Sequence, residues 1–395
     1  MEPAPPLRPL PYHREILDHL RRHHARLWDW CRTEGAQQRH ADLVRLELLK
    51  TTYRLDRAHH AALYEAADGA ASALGVEAPL TVYQSQRHGT LNASLAYLPG
   101  EAHVALAGPV SEALAPPQVR ALFGHELAHF ALLEGEERSL LHAERLVAAM
   151  ANDPEAAPAH ERTARLWRLT TEVYADRGAL LAAGGDLAAA VGLLVCVTTG
   201  LRDANAESYL RQADEILARE AATAAEPTHP ETFLRARALR LWSEAGDGAD
   251  AEIERMIAGP IALDDLDLLA QARLTEATRA LIDRLLGARW LRTDALLAHA
   301  HAYFPRYAVA GETEIPALLR EPGLSDYLGA VLLDFVALAP ELDEAPLAAA
   351  YTLATELGRG EEFLSAAARE LALPKRRIDA VRKDPAKFLA EAEGR

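Results

Sequence analysis

Cysteine is nearly absent from this chain, with two residues in 395, Cys31 and Cys196, far apart and outside any CxxC spacing. That scarcity excludes a disulfide framework and a thiolate metal cage. Long hydrophobic runs are missing too. No stretch reaches the roughly 18 apolar residues that a membrane helix needs, and the longest candidate, Leu187–Thr199, is short and alanine-rich, which predicts a buried core helix. Positive charge is in deficit, 42 Lys and Arg against 58 Asp and Glu, for a net charge of −16. A nucleic-acid groove would need clustered basic residues, so nucleic acid is excluded as a partner. The short basic clusters Arg21-Arg22 and Lys375-Arg376-Arg377 read as solvated helix ends. Met1–Pro11 is proline-rich and lacks the apolar core of a signal peptide. The expectation is a cytoplasmic protein with no membrane insertion.

Histidine is plentiful at 16 residues, and two of them fall in the run Gly124-His125-Glu126-Leu127-Ala128-His129-Phe130. This is an HExxH motif. On a helix, positions four apart share a face and can grip one ion, and neutral imidazole is a preferred zinc ligand. Glu126 stands about 100° further round, where it can act on a water at the metal without binding the metal. Helical periodicity from Pro117 to Glu134 puts Val119, Phe123, Leu127 and Phe130 on one apolar stripe, with both histidines on nearly the opposite side. Ala121 and Ala128 beside the histidines are small enough for another segment to approach closely.

A hydrolytic zinc site needs a third protein ligand and a fourth position open to water. The run Thr171-Glu172-Val173-Tyr174-Ala175-Asp176-Arg177 offers one, late in a helix expected from about His160 to Leu181. Glu172 would complete a His₂Glu set. Asp176, one turn later on the same face, would accept the N–H of a ligand histidine and fix its tautomer. The metal these donors suit is Zn²⁺, since Mg²⁺ and Ca²⁺ favour all-oxygen shells.

With these residues in view, the chain resembles the zinc endopeptidase family of the heat-shock protease HtpX and the CAAX prenyl protease. Four segments carry the likeness: Asn92-Ala93 within Leu91–Tyr97, the HExxH helix from Gln118, the Glu172-to-Asp176 segment, and Thr228-His229-Pro230 with Arg235. The match spans about residues 55–240. It implies a zincin-like metallopeptidase domain in which Asn92 and Ala93 contact substrate, His229 aids catalysis and Arg235 supports the metal ligands. Members of that family are often membrane-embedded, and nothing in this chain carries that property over.

The expected fold class is α+β, predominantly α, with a small β-sheet in the metallopeptidase domain and an all-helical C-terminal region. Residues 1–54 are expected to form an N-terminal helical arm, with helices over Tyr12–Glu34 and Ala41–Leu55. The metallopeptidase domain is expected over 55–244, with a helix His59–Leu74 stopped by Gly75, strands between Leu80 and Ala107, and a tight turn at Pro99-Gly100. Residues 245–395 read as helix after helix, broken at Gly259-Pro260, Gly311, Pro322-Gly323 and Pro340. Within them, 328–378 is weakly similar to TerB-like helical domains. A docking role toward a protein partner is the expectation there.

The function expected is zinc-dependent peptide-bond hydrolysis, with Glu126 as general base and a polypeptide as substrate. The strand Ala102–Ala107, taken as the sheet edge at the cleft, would bind an extended peptide by strand addition. Two roles stand open for His229, donor to the developing oxyanion or a blocking metal ligand. The alternative class is a catalytically latent metallopeptidase fold used as a protein-binding module. Glu126 argues against it, because a purely structural site has no use for a residue that is not a ligand.

Overall fold

The computed structural model describes residues 7–31, 37–86, 91–219, 232–310 and 313–394. Two compact units divide the chain, Met1–Gly259 and Pro260–Arg395. The protein is predominantly helical, with one four-stranded sheet.

The first unit begins with helices α1 (Pro11–His23), α2 (Ala25–Cys31) and α3 (Gln37–Thr51). Strand β1 (Thr52–Arg54), helix α4 (Ala61–Leu74), and strands β2 (Leu80–Ser85), β3 (Asn92–Leu98) and β4 (Glu101–Ala107) follow. Then come α5 (Val110–Ala113), the long α6 (Pro116–Ala151), α7 (Pro158–Ala182), α8 (Leu187–Thr199), α9 (Ala206–Arg219), α10 (Thr232–Ala245) and α11 (Asp250–Ala258). Gly75 stops α4 in the left-handed conformation that glycine adopts without penalty. The turn at Pro99-Gly100 joins β3 to β4 as the sequence predicts.

The strand order is β1-β2-β4-β3, with β2 and β4 parallel and the other pairs antiparallel. This order corrects one expectation. The strand Ala102–Ala107 is not the sheet edge; it lies between β2 and β3, and β3 is the edge beside α6. Val82, Val104 and Leu106 of the sheet share a core with Phe123 and Leu127 of α6 and Ala67 of α4. The expected apolar stripe of α6 is therefore what docks it on the sheet.

Three local readings change. The chain bends at His24, so Tyr12–Glu34 is not one helix. The helix expected to reach Leu55 ends at Thr51, and Thr52–Arg54 pair with Tyr83–Ser85, a tertiary pairing that overrides helical pattern. The long α6 is interrupted at Gly135–Arg138, where Glu136, Glu137 and Arg138 have φ of 49°, 54° and 62°. The N-terminal helices are built into the first unit: Leu10, Ile16 and Leu20 are fully buried, and the Arg21 guanidinium donates to Ser139 Oγ at 2.8 Å.

The second unit is all-helical: α12 (Leu268–Leu285), α13 (Asp294–Tyr303), α14 (Ser325–Ala337), α15 (Ala345–Glu356), α16 (Gly360–Glu370), α17 (Lys375–Lys383) and α18 (Pro385–Glu393). Its own core includes Leu281, Leu332, Phe335, Leu353 and Leu364. Across the described residues no helix is long and apolar enough to cross a membrane.

Candidate metal centre

Helices α6 and α7 pack tightly against each other, and glycine makes that contact feasible. A Cβ built at Gly178 would collide with Ala128 Cβ and the Gly124 carbonyl, and one at Gly124 would collide with Ala182 Cβ and the Gly178 carbonyl. Gly124 and Ala128 on one helix thus face Gly178 and Ala182 on the other, each pair four apart. The backbones approach closely enough for short side chains on both helices to converge.

What converges is His125 and His129 from α6 and Glu172 from α7. The two Nε2 atoms are 3.3 Å apart. The Glu172 carboxylate oxygens lie 3.6 Å from His125 Nε2 and 3.7 Å from His129 Nε2. Among the described residues this is the one cluster of three His, Cys, Asp or Glu side chains whose ligand atoms gather closely enough for an ion. Tetrahedral bonds of about 2.0–2.2 Å place donor atoms roughly 3.3–3.6 Å from one another, so the triangle matches one face of such a shell. Two imidazole nitrogens and a carboxylate with their lone pairs turned inward repel unless a cation or protons lie between them. The donor set fits a metal.

Behind the ligands sits a buried relay. Asp176 Oδ1 accepts from His125 Nδ1 at 3.1 Å, which leaves Nε2 as the atom facing His129 and Glu172. Arg235 of α10 clamps Asp176 with both Nε, at 2.7 Å, and a terminal nitrogen, at 2.5 Å. The same guanidinium lies 3.5 Å from Glu172. Burial favours the neutral acid at Asp176, but the Arg235 charge and the hydrogen bonds from Arg235 and His125 outweigh it and hold the carboxyl below its ordinary range. Burial likewise opposes a charge on His125, yet Asp176 and Glu172 raise its basicity. At His129 burial, with the neighbouring His125, outweighs the pull of Glu172 and lowers the group to about 4.

Glu126 is buried, and that burial lifts its carboxyl above the usual range, with Glu172 adding to the lift. It accepts the backbone N–H of Leu95 on β3. This bond holds the Glu126 carboxylate between the His125/His129/Glu172 cluster and the sheet edge. A raised pKa brings a carboxylate closer to the range useful for accepting protons near neutral pH.

The ligands open into a cavity of about 850 Å³. Asn92, Ala93, Ser94 and Leu95 of the edge strand line it beside His125, Glu126 and His129. Asn92 is exposed at the start of β3 and its side chain accepts the Ala93 N–H at 2.9 Å. Ala93 N–H and Leu95 N–H both face away from β4, as the strand alternation requires. Asp176 and Arg235 thus stand behind the His125/His129/Glu172 cluster, Asn92 and Ala93 line the cavity, and His229 lies outside the described residues. Missed in the sequence were Leu95, whose backbone holds Glu126, the Gly124/Gly178 contact, and a wall of Leu193, Leu194 and Val197 from α8. Only the glycines had a signal to read, the four-residue spacing to Ala128 and Ala182.

No protein family, curated protein or solved structure matches this chain.

Proposed function

We propose that the protein is a zinc-dependent endopeptidase of zincin-like fold, akin to the family that its motifs resemble. The observation carrying this reading is the triangle of inward-facing donors at His125, His129 and Glu172, with Glu126, a buried carboxylate that is not part of it, held alongside. A zinc ion held there supplies Lewis acidity toward a water and a substrate carbonyl. Glu126 takes the proton of that water and later delivers it to the departing amine. Asp176 keeps the His125 tautomer fixed, and Arg235 keeps Asp176 ionised.

The polypeptide substrate is held as an added strand on β3, replacing the β4 edge that the sequence suggested. Main-chain groups of β3 facing the cavity align the scissile carbonyl with Glu126. Treatment of the purified protein with a chelator tests the reading: cleavage of an unfolded casein-like substrate should stop and return with added Zn²⁺. Cleavage that continues in metal-free protein excludes this function.

A further inference from the structure

The cavity has two ends of different chemistry. The Leu95 N–H meets Glu126, and the Tyr97 hydroxyl donates to Glu134 Oε1 at 2.5 Å, so β3 and the first part of α6 run in the same direction. At the Asn92 end the walls include Leu122, Leu193, Leu194 and Val197, with the uncharged Thr198, Tyr209 and Thr232 beside them. The Tyr97 end is bounded by Leu132, Leu133 and Trp167, and it contains a carboxylate, Glu144. A peptide added antiparallel to β3 lays its amino-terminal half over the Tyr97 end.

Glu144 belongs to the part of α6 beyond the interruption at Gly135–Arg138. The turn is made by three consecutive non-glycine residues in the left-handed region, an arrangement that L-residues avoid. It turns a half-buried carboxylate into the cavity wall. Burial raises the Glu144 carboxyl above its usual range; the Arg145 charge and the Trp167 indole oppose this without cancelling it. The Trp167 N–H, on a side chain only 2 % exposed, is directed at that carboxyl. This end therefore holds a carboxylate in the cavity lining whose burial its neighbours offset only in part. The other charge lining it, Arg168, is exposed at the mouth, where solvent screens it.

Resting on the peptidase reading above, we propose that Glu144 and Trp167 form a subsite that selects a lysine or arginine on the amino-terminal side of the cleaved bond. The aliphatic stem of such a side chain lies along Leu132, Leu133 and the indole, and its cationic head pairs with the Glu144 carboxylate.

Matched unstructured peptides that differ only in Lys, Ala or Glu at that position test it on the zinc-loaded full chain. Lysine should be favoured over alanine in kcat/KM by about 10-fold or more, the scale of one charge-assisted hydrogen bond. Glu144→Gln should erase that preference, and Glu144→Lys should turn it toward glutamate, with bound metal reporting that each variant folds. The parent's own preference decides the matter if neither variant folds. Equal rates for Lys and Ala peptides, or a parent preference for Glu, overturn the subsite while leaving the peptidase reading intact. Should no peptide be cleaved, that reading fails instead, and calorimetry of the Lys and Ala peptides on Glu126→Gln protein still decides the subsite: tighter Lys binding supports it, equal binding rejects it.

Discussion

Asp176 Oδ1 lies 3.1 Å from His125 Nδ1, so this histidine of the proposed metal site is oriented from behind by a carboxylate that Arg235 in turn clamps. Replacing Asp176 with Asn should weaken metal binding by about 10–100-fold, the usual effect of losing such a partner. Because Asp176 raises the basicity of His125, protons compete with the metal from above pH 6.5 in the parent. In Asp176→Asn that competition should begin at lower pH although the affinity is weaker. Metal titrations at several pH values check both.

The contact between Gly124 and Gly178 sets the distance between the helices that carry His125, His129 and Glu172. Gly178→Ala should destabilise the protein by about 1–3 kcal/mol through overpacking. It should also loosen the metal, since Glu172 moves with α7. A denaturant melt with a metal titration tests this; a variant that loses stability but binds zinc as the parent does would separate packing from site geometry.

His13 of α1 is fully buried and its basicity is lowered to about 3 by burial and by the nearby Arg177 and Arg14 charges. Its Nε2 lies 3.1 Å from Thr171 Oγ1, whose hydroxyl donates to the Trp167 carbonyl, so Nε2 carries the proton. Below pH 6.5 the unfolded chain binds a proton there that the folded chain refuses. Stability therefore falls as the pH falls, by about 1.4 kcal/mol per pH unit from this one group, until the pH nears 3. His13→Gln keeps a hydrogen-bonding side chain without that titration. Its unfolding free energy should fall less steeply between pH 6.5 and 4.5 than the parent's; equal slopes contradict the assignment.

Arg177 of α7 is 1 % exposed and donates to Asp250 Oδ1 on α11 at 2.7 Å. A chain cut after Ala245 loses α11 and leaves that guanidinium buried and unpaired, a cost of about 3–5 kcal/mol. A chain ending at Gly259 keeps the pair. The shorter piece should fail to fold and the longer one should fold, as circular dichroism and metal binding would report.

The legible parts of the site were those with helical spacing. His125, Glu126, His129, Glu172 and Asp176 declare themselves because positions four apart share a helix face. Strand order left no such mark, since the alternation in β3 and β4 is the same whichever one is the edge. Glu144 was unreadable for a different reason: the left-handed turn before it contains Glu136, Glu137 and Arg138, none of which signals that conformation. Long-range pairs such as Arg177 with Asp250 were also hidden, which is why the first unit runs past residue 245 to Gly259.

The most direct test of the central claim is to measure bound metal and cleavage together in the parent and in Glu126→Gln. The account predicts one zinc per chain in both proteins, and cleavage of an unfolded polypeptide reduced by about 100-fold or more in the variant. Parent-like cleavage by Glu126→Gln, or a carefully purified parent that holds no zinc, would contradict it.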